Sequence, residues 1–291
     1  MKLKLVVLVT AILLAPQLQS QIKKEWVPPL DIPFSLSGTF GEPRSTHFHL
    51  GIDIKTQGKE GWKVRSVASG YISRVRVSLG GYGKTLYINH PDGTSSVYAH
   101  LKKFAPRIEN YIKSIQYEKE SYTLQHFPKK REFMIDAGEV IGYSGNTGSS
   151  SGPHLHFEIR DTKSQNPINP LLFDLPISDS QRPQFQKLFL FYPKNNSVLT
   201  HSEPIGLKKV NDSTYNTPVV SSLGKIGLGL QMFDRQDLSY SKNGIYKAKL
   251  EVNGKTMAQF QFDQLNYSDS DKLFINVDYP TYKKNNIKIQ K

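Results

Sequence analysis

Apolar and polar positions alternate with a period of two through four successive runs, 63–68, 71–78, 85–90 and 95–101. Each run is rich in β-branched or aromatic residues and is bounded by Gly, Pro, Asp or Asn. That pattern predicts half-buried antiparallel strands joined by tight turns. Gly80-Gly81-Tyr82-Gly83 falls between two of the runs. No helix with Lys-Ser/Thr follows it, so it reads as a hairpin turn and not as a phosphate cradle. The period then changes. Ile108, Ile112 and Ile115 recur at spacings of four and three, with Pro106 just ahead, which predicts an amphipathic helix with proline in its first turn. Segments 121–127 and 131–136 read as added strands, and 137–148 as a strand and turn.

Beyond the proline-rich stretch 167–176 the chain is richer in Asn, Ser and Lys. Short strand-like runs return at 187–192, 225–233, 244–252 and 256–262, the last two separated by Asn253-Gly254, a hairpin signal. An immunoglobulin-like β-sandwich module is expected over 182–291. Its last strand-like run lies so near Lys291 that the module reads as incomplete. At the other end, two lysines precede an apolar run from Leu5 to Ala15, too short to span a bilayer comfortably. Residues 1–20 read as a secretory signal peptide cleaved near Ser20, and 21–34 as an arm packing onto the first domain. The expected fold class is mainly β: an antiparallel domain over 35–178 with a helical insertion at 102–135, then the sandwich. The insertion is expected beside the site, with His126 on its surface.

Composition narrows the chemistry. There is no cysteine in 291 residues. This excludes disulfides, thiolate metal sites, a cysteine nucleophile and a lipoprotein anchor, and leaves any metal to His, Asp or Glu. The net charge of +13 becomes +11 without residues 1–20, which contain Lys2 and Lys4 and no acid. A basic balance suits an anionic partner. After export that partner is a cell-wall polymer or an outer leaflet, not nucleic acid. The charge is spread along the chain, which fits a purely solubilising role equally well.

The chemistry-bearing stretch is 145–159, G-N-T-G-S-S-S-G-P-H-L-H-F-E-I. His154 and His156 stand two apart, so on a strand they share a face. Alone, such a pair is a weak signal. About a hundred residues upstream, T-H-F-H-L-G-I-D-I-K places His49 four residues before Asp53. On a strand these would also share a face, with Leu50, Ile52 and Ile54 opposite, and His47 would share it with His49. Imidazole nitrogen and carboxylate oxygen are zinc ligands, and a catalytic zinc takes three protein ligands with one position open. His49, Asp53 and one of His154 and His156 make that number.

These motifs, H-x-x-x-D at 49–53, Y-A-H-L at 98–101 and S-G-N-T-G…G-P-H-L-H-F-E at 144–158, together resemble the lysostaphin/LytM-type zinc metallopeptidases (metallopeptidase family 23). The resemblance covers residues 35–175. It implies an exported endopeptidase that cuts peptide bonds of peptidoglycan. It implies Zn²⁺ held by His49, Asp53 and His156, with His100 and His154 as flanking catalytic groups and His90 structural. There is no H-E-x-x-H, so the Glu-based scheme of the common zinc proteases is absent. Glu158 reads either as a group orienting a histidine or as a solvent-facing residue. Two other readings are a non-catalytic wall-binding scaffold that activates another hydrolase and a secreted protease with a non-wall substrate.

Overall fold

The computed structural model describes residues 26–194, 197–220, 225–237, 239–272, 276–285 and 287–290. The expected signal peptide lies outside them. Among the described residues no helix is long and apolar enough to cross a membrane.

The chain is mainly β. Its first twelve strands are β1 (Leu36–Gly38), β2 (Ile52–Lys55), β3 (Lys63–Arg65), β4 (Gly70–Val77), β5 (Lys84–Asn89), β6 (Thr94–Leu101), β7 (Lys103–Phe104), β8 (Leu124–His126), β9 (Met134–Ile135), β10 (Val140–Tyr143), β11 (His154–Asp161) and β12 (Pro167–Ile168). A nine-stranded sheet runs in the order β1-β2-β11-β6-β5-β4-β8, with β12 added to β11 and β9 to β4; β3, β10 and β7 form a second sheet. All the pairings are antiparallel.

Two-residue alternation decides what the large sheet buries. Ile52 and Ile54 of β2, Tyr98 of β6 and Leu155, Phe157 and Ile159 of β11 enter the main core with Val64 and Ile141 of the second sheet. Trp26, Leu30, Ile32 and Phe34 of the N-terminal arm join them. The opposite face of β2 and β11 carries Asp53 and Lys55 against His156 and His154, in direct register. Six consecutive residues of β11, Leu155–Arg160, are nonetheless buried. β11 is therefore covered on both faces, and its polar row from His156 to Arg160 is desolvated instead of facing water.

Helix α1 (Pro106–Glu118) has proline at its start and buries Ile108 and Ile112. Strand β8 follows it at the edge of the sheet opposite β1 and β2. Strands β8 and β9 of this segment pair with β4, and no residue of 102–135 lines the cleft of the motif histidines. His126 is half-buried there, its Nε2 2.8 Å from the Tyr111 hydroxyl.

The C-terminal part supplies β13 (Gln184–Lys194), β14 (Ser197–Ile205), β15 (Lys208–Asn211), β16 (Thr214–Asn216), β17 (Gly227–Phe233), β18 (Lys247–Val252), β19 (Lys255–Gln261) and a short helix, Tyr279–Asn285. β14-β13-β17 form one sheet, and β15-β16 and β18-β19 form hairpins. Asn253 and Gly254 turn the last hairpin with φ of 52° and 77°, as the Asn-Gly signal requires.

This part grips β1 and the segment between β1 and β2. Leu36 N donates to Gln236 Oε1 at 3.1 Å, and Ser239 Oγ donates to the Leu36 carbonyl at 3.0 Å. Gly244 N donates to Thr39 Oγ1 at 3.0 Å. Phe48 N donates to the Ser270 carbonyl at 2.8 Å. Lys288 Nζ is 3.0 Å from Glu42 Oε1, and Phe40 and Phe48 pack with Phe262 and Val277.

Candidate metal centre

Three ligand atoms converge at the junction of β2 and β11. His49 Nε2 lies 3.1 Å from Asp53 Oδ1 and 3.0 Å from His156 Nδ1, and His156 Nδ1 lies 2.9 Å from Asp53 Oδ1. All three residues are buried. Asp53 and His156 oppose each other across the strand pair. His49 arrives differently. β2 begins only at Ile52, so His49 is in the preceding loop and does not share a strand face with Asp53. Gly51 makes this possible, because a Cβ there would lie 2.3 Å from the Phe157 carbonyl oxygen. The loop can press against β11 only without a side chain at that point.

The far ring nitrogens fix which atoms face inward. His49 Nδ1 is 2.9 Å from the Thr39 carbonyl, which can only accept, so Nε2 is left bare. His156 Nε2 is 2.9 Å from Glu158 Oε1, so its Nδ1 faces the centre. Three lone pairs about 3 Å apart repel unless a positive charge lies among them. Burial lowers the pKa of His156, but hydrogen bonds to Asp53 and Glu158 raise it to about 9. Burial likewise pushes Asp53 up, while the charge of His49 and bonds from the neighbouring histidines hold it well below the usual carboxylate range. Zn–N and Zn–O bonds of about 2.0–2.1 Å set tetrahedral edges of roughly 3.3 Å. The triangle fits within a few tenths of an ångström, and the donor set is one that zinc accepts.

Two more histidines flank the triangle. His154, from the same face of β11, has Nε2 3.5 Å from Asp53 Oδ1 and Nδ1 2.8 Å from the Gly152 carbonyl. His100 ends β6. Regular alternation would place it on the core face with Tyr98, but its φ of +57° breaks the alternation, and it lines the cleft. Its Nδ1 donates to the Thr147 carbonyl at 2.8 Å, and the two rings are 4.8 Å apart. Burial, then the charge of His156, lowers the pKa of His100 to about 4, so it is neutral near pH 7. His100 thus presents a bare Nε2, and His154 turns its Nε2 toward Asp53. Residues 145–148 and 80–83 interlock to support them: Gly148, at φ 76°, has the Gly81 carbonyl 2.3 Å from where its Cβ would be.

One contributor was not evident in the residue pattern. Tyr82, in the glycine turn, hydrogen-bonds Glu158, and its ring lies 4.9 Å from that of His156. Glu158 is fully buried and not solvent-facing; Arg160 Nε donates to its Oε2 at 2.6 Å. Arg44 Nη2 donates to Asp53 Oδ2 at 2.7 Å, leaving Oδ1 to the histidines. The row His154-x-His156-x-Glu158-x-Arg160 was a readable signal for a buried polar face once both sides of β11 were known to be covered. His47 is exposed on the loop, beside Thr46. His90 is buried, held between the Ser69 carbonyl and Ser96 Oγ.

The family profile described as Peptidase family M23 matches residues 47–117 and 113–170, a span that contains all six histidine and aspartate positions of the cleft. The matched segment is similar to peptidase family M23. Among curated proteins, the M23 segment is 34% identical over 128 residues to the DD-carboxypeptidase/endopeptidase Mpg of Neisseria meningitidis, covering 44% of this chain and 23% of that protein. It is 30% identical over 111 residues to lysostaphin of Staphylococcus simulans, covering 38% and 17%. It is 33% identical over 134 residues to the murein hydrolase activator NlpD of Escherichia coli, covering 46% and 28%. The matches thus span about a quarter of the length of these relatives. A zinc-containing peptidase from Vibrio cholerae aligns at 25% identity over 53% of this chain and 41% of that one, with a TM-score of 0.39.

Proposed function

We propose that this protein is an exported zinc metalloendopeptidase that hydrolyses peptide crosslinks of bacterial peptidoglycan. The observation that carries the reading is the convergence of His49 Nε2, Asp53 Oδ1 and His156 Nδ1 to about 3 Å, with the imidazoles of His154 and His100 lining the same cleft. His49, Asp53 and His156 would hold the metal. When bound, zinc lowers the pKa of a coordinated water to about 7 and polarises the scissile carbonyl.

The remaining work falls to the side chains. His154 and His100 each have Nδ1 engaged by a backbone carbonyl, so each can accept a proton only at Nε2. The ring that takes the proton of the attacking water then has an Nε2–H to offer an oxyanion or the leaving amine. Arg44 and Glu158 hold Asp53 and His156 in the orientations that aim Oδ1 and Nδ1 inward.

Peptidoglycan as substrate is supported by the M23 segment, by relatives whose names include DD-carboxypeptidase/endopeptidase and murein hydrolase activator, and by the basic balance and expected leader. The domain organisation belongs to the same proposal: a peptidase unit over 35–178 with insertion 102–135, and an immunoglobulin-like module over 182–291. The likeness to NlpD favours a second reading, a wall-binding activator of another hydrolase. Incubating the purified protein with isolated peptidoglycan, with and without a chelator, decides between them. Chelator-sensitive release of crosslink fragments, read by mass, supports the peptidase. A zinc-loaded protein that releases none is not a wall peptidase.

A further inference from the structure

Lys55 stands two residues beyond Asp53 on β2, so its side chain leaves the same face about 7 Å further along the strand. Its register partner is His154, as that of Asp53 is His156. Lys55 therefore lines the same cleft, a cavity of about 510 Å³. It is half-buried, and its Nζ donates to Ser239 Oγ at 3.0 Å. That hydroxyl donates in turn to the Leu36 carbonyl at 3.0 Å, and Ser239 itself is 7% exposed. The ammonium is thus fixed by a buried serine of the C-terminal part and forms no ion pair among the described residues.

The charges of the cleft wall sharpen the point. Among the described residues its lysine and arginine cations are Arg44 and Lys55, and its one carboxylate is Asp53. Asp53 already pairs with Arg44 and belongs to the ligand triangle. Once a divalent ion is held there, no anion is left to balance Lys55. A partly desolvated ammonium without a counter-ion is unfavourable unless something that binds supplies one. A carboxylate is the natural complement, because a charge-assisted hydrogen bond is about twice as strong as a neutral one.

We propose that Lys55, held in place by Ser239, recognises a free carboxylate on the substrate peptide, close to the bond that is cut. This rests on the peptidase reading of the cleft and names the substrate feature that it selects. In a wall peptide such a carboxylate sits either on the side chain of a diamino-dicarboxylic acid or at a chain end.

The test uses the zinc-loaded chain and a fluorescent crosslinked peptide in three forms: both carboxylates free, the side-chain carboxylate amidated, and the chain-end carboxylate amidated. Cleavage gives kcat and KM, anisotropy gives affinity, and zinc content is measured for every variant. For the wild type, amidating the recognised carboxylate is expected to raise KM and weaken binding roughly tenfold with kcat little changed. The sensitive form identifies which carboxylate is read. Lys55→Gln is expected to keep its zinc and bind all forms as weakly as the wild type binds the amidated one. Lys55→Arg should retain discrimination, and Ser239→Ala should lose part of it. Equal wild-type affinity for all three forms, or unchanged discrimination in Lys55→Gln, overturns the inference. If no form is cleaved by the zinc-loaded wild type, the peptidase reading fails, and the anisotropy comparison still decides whether Lys55 reads a carboxylate.

Discussion

Glu158 aims His156. Its Oε1 lies 2.9 Å from His156 Nε2, with both side chains buried on the polar face of β11. The hydrogen bond holds a proton on Nε2 and turns Nδ1 toward His49 and Asp53. Arg160 and Tyr82 hold the carboxylate from its other sides. Carboxylates that orient a ligating histidine typically matter 10–100-fold to metal affinity or activity. Glu158→Gln keeps the shape but loses the charge. Its zinc affinity, measured by competition with a chromophoric chelator, should fall by about that factor while the circular dichroism stays native. An unchanged affinity would mean that Glu158 serves packing alone.

The two classes of histidine should separate cleanly. His49→Ala and His156→Ala each remove one corner of a three-atom set and should abolish stoichiometric zinc. His154→Ala and His100→Ala leave that set intact. They should keep the metal and lose roughly 10²–10⁴-fold in crosslink cleavage, the range of a proton-transfer group. Metal analysis beside kinetics reads both. A His154→Ala protein without zinc would move that residue into the ligand set.

The alternation of apolar and polar residues made most of the large sheet legible, because β4, β5, β6 and β11 each put one face in the core. The helix start at Pro106 and the Asn253-Gly254 turn were equally readable, since proline and glycine act locally. What alternation could not convey was where it breaks. His49 reaches the centre from a loop that Gly51 lets approach β11, and His100 does so by a left-handed residue at the end of β6. Tyr82 depends on a contact with Glu158, 76 residues away, which no local pattern encodes. The position of β8 at the far sheet edge was hidden for the same reason: strand order is a long-range property.

Glu158 also predicts a pH dependence. Burial alone would raise its pKa, but the charge of Arg160 and the hydrogen bond from His156 lower it to about 2, against 4.5 unperturbed. The folded state therefore binds this proton less readily than the unfolded chain. The contribution is fully present above about pH 4.5 and is lost as pH falls toward 2. In chelator-treated protein, the urea midpoint should drop across that window. In Glu158→Gln this part of the slope should be gone. The same steepness in the variant would assign the acid sensitivity to other carboxylates.

The loop that carries Arg44 and His49 is held from outside the M23 segment. Phe262 packs against Phe40 and Phe48, and its ring lies 2.5 Å from where a Cβ on Gly41 would be. Phe262 is 6% exposed, and truncating a buried phenylalanine costs about 3–5 kcal/mol. Here part of that loss falls on the loop. Phe262→Ala should therefore lower both the melting temperature and the zinc affinity. Phe189→Ala supplies the control. Phe189 is 8% exposed in a separate cluster with Phe191 and Ile289, so its loss should lower the melting temperature and spare the metal. Equal loss of zinc in both variants would show that the site responds to overall stability. A loss confined to Phe262→Ala would show that the C-terminal part sets the position of His49.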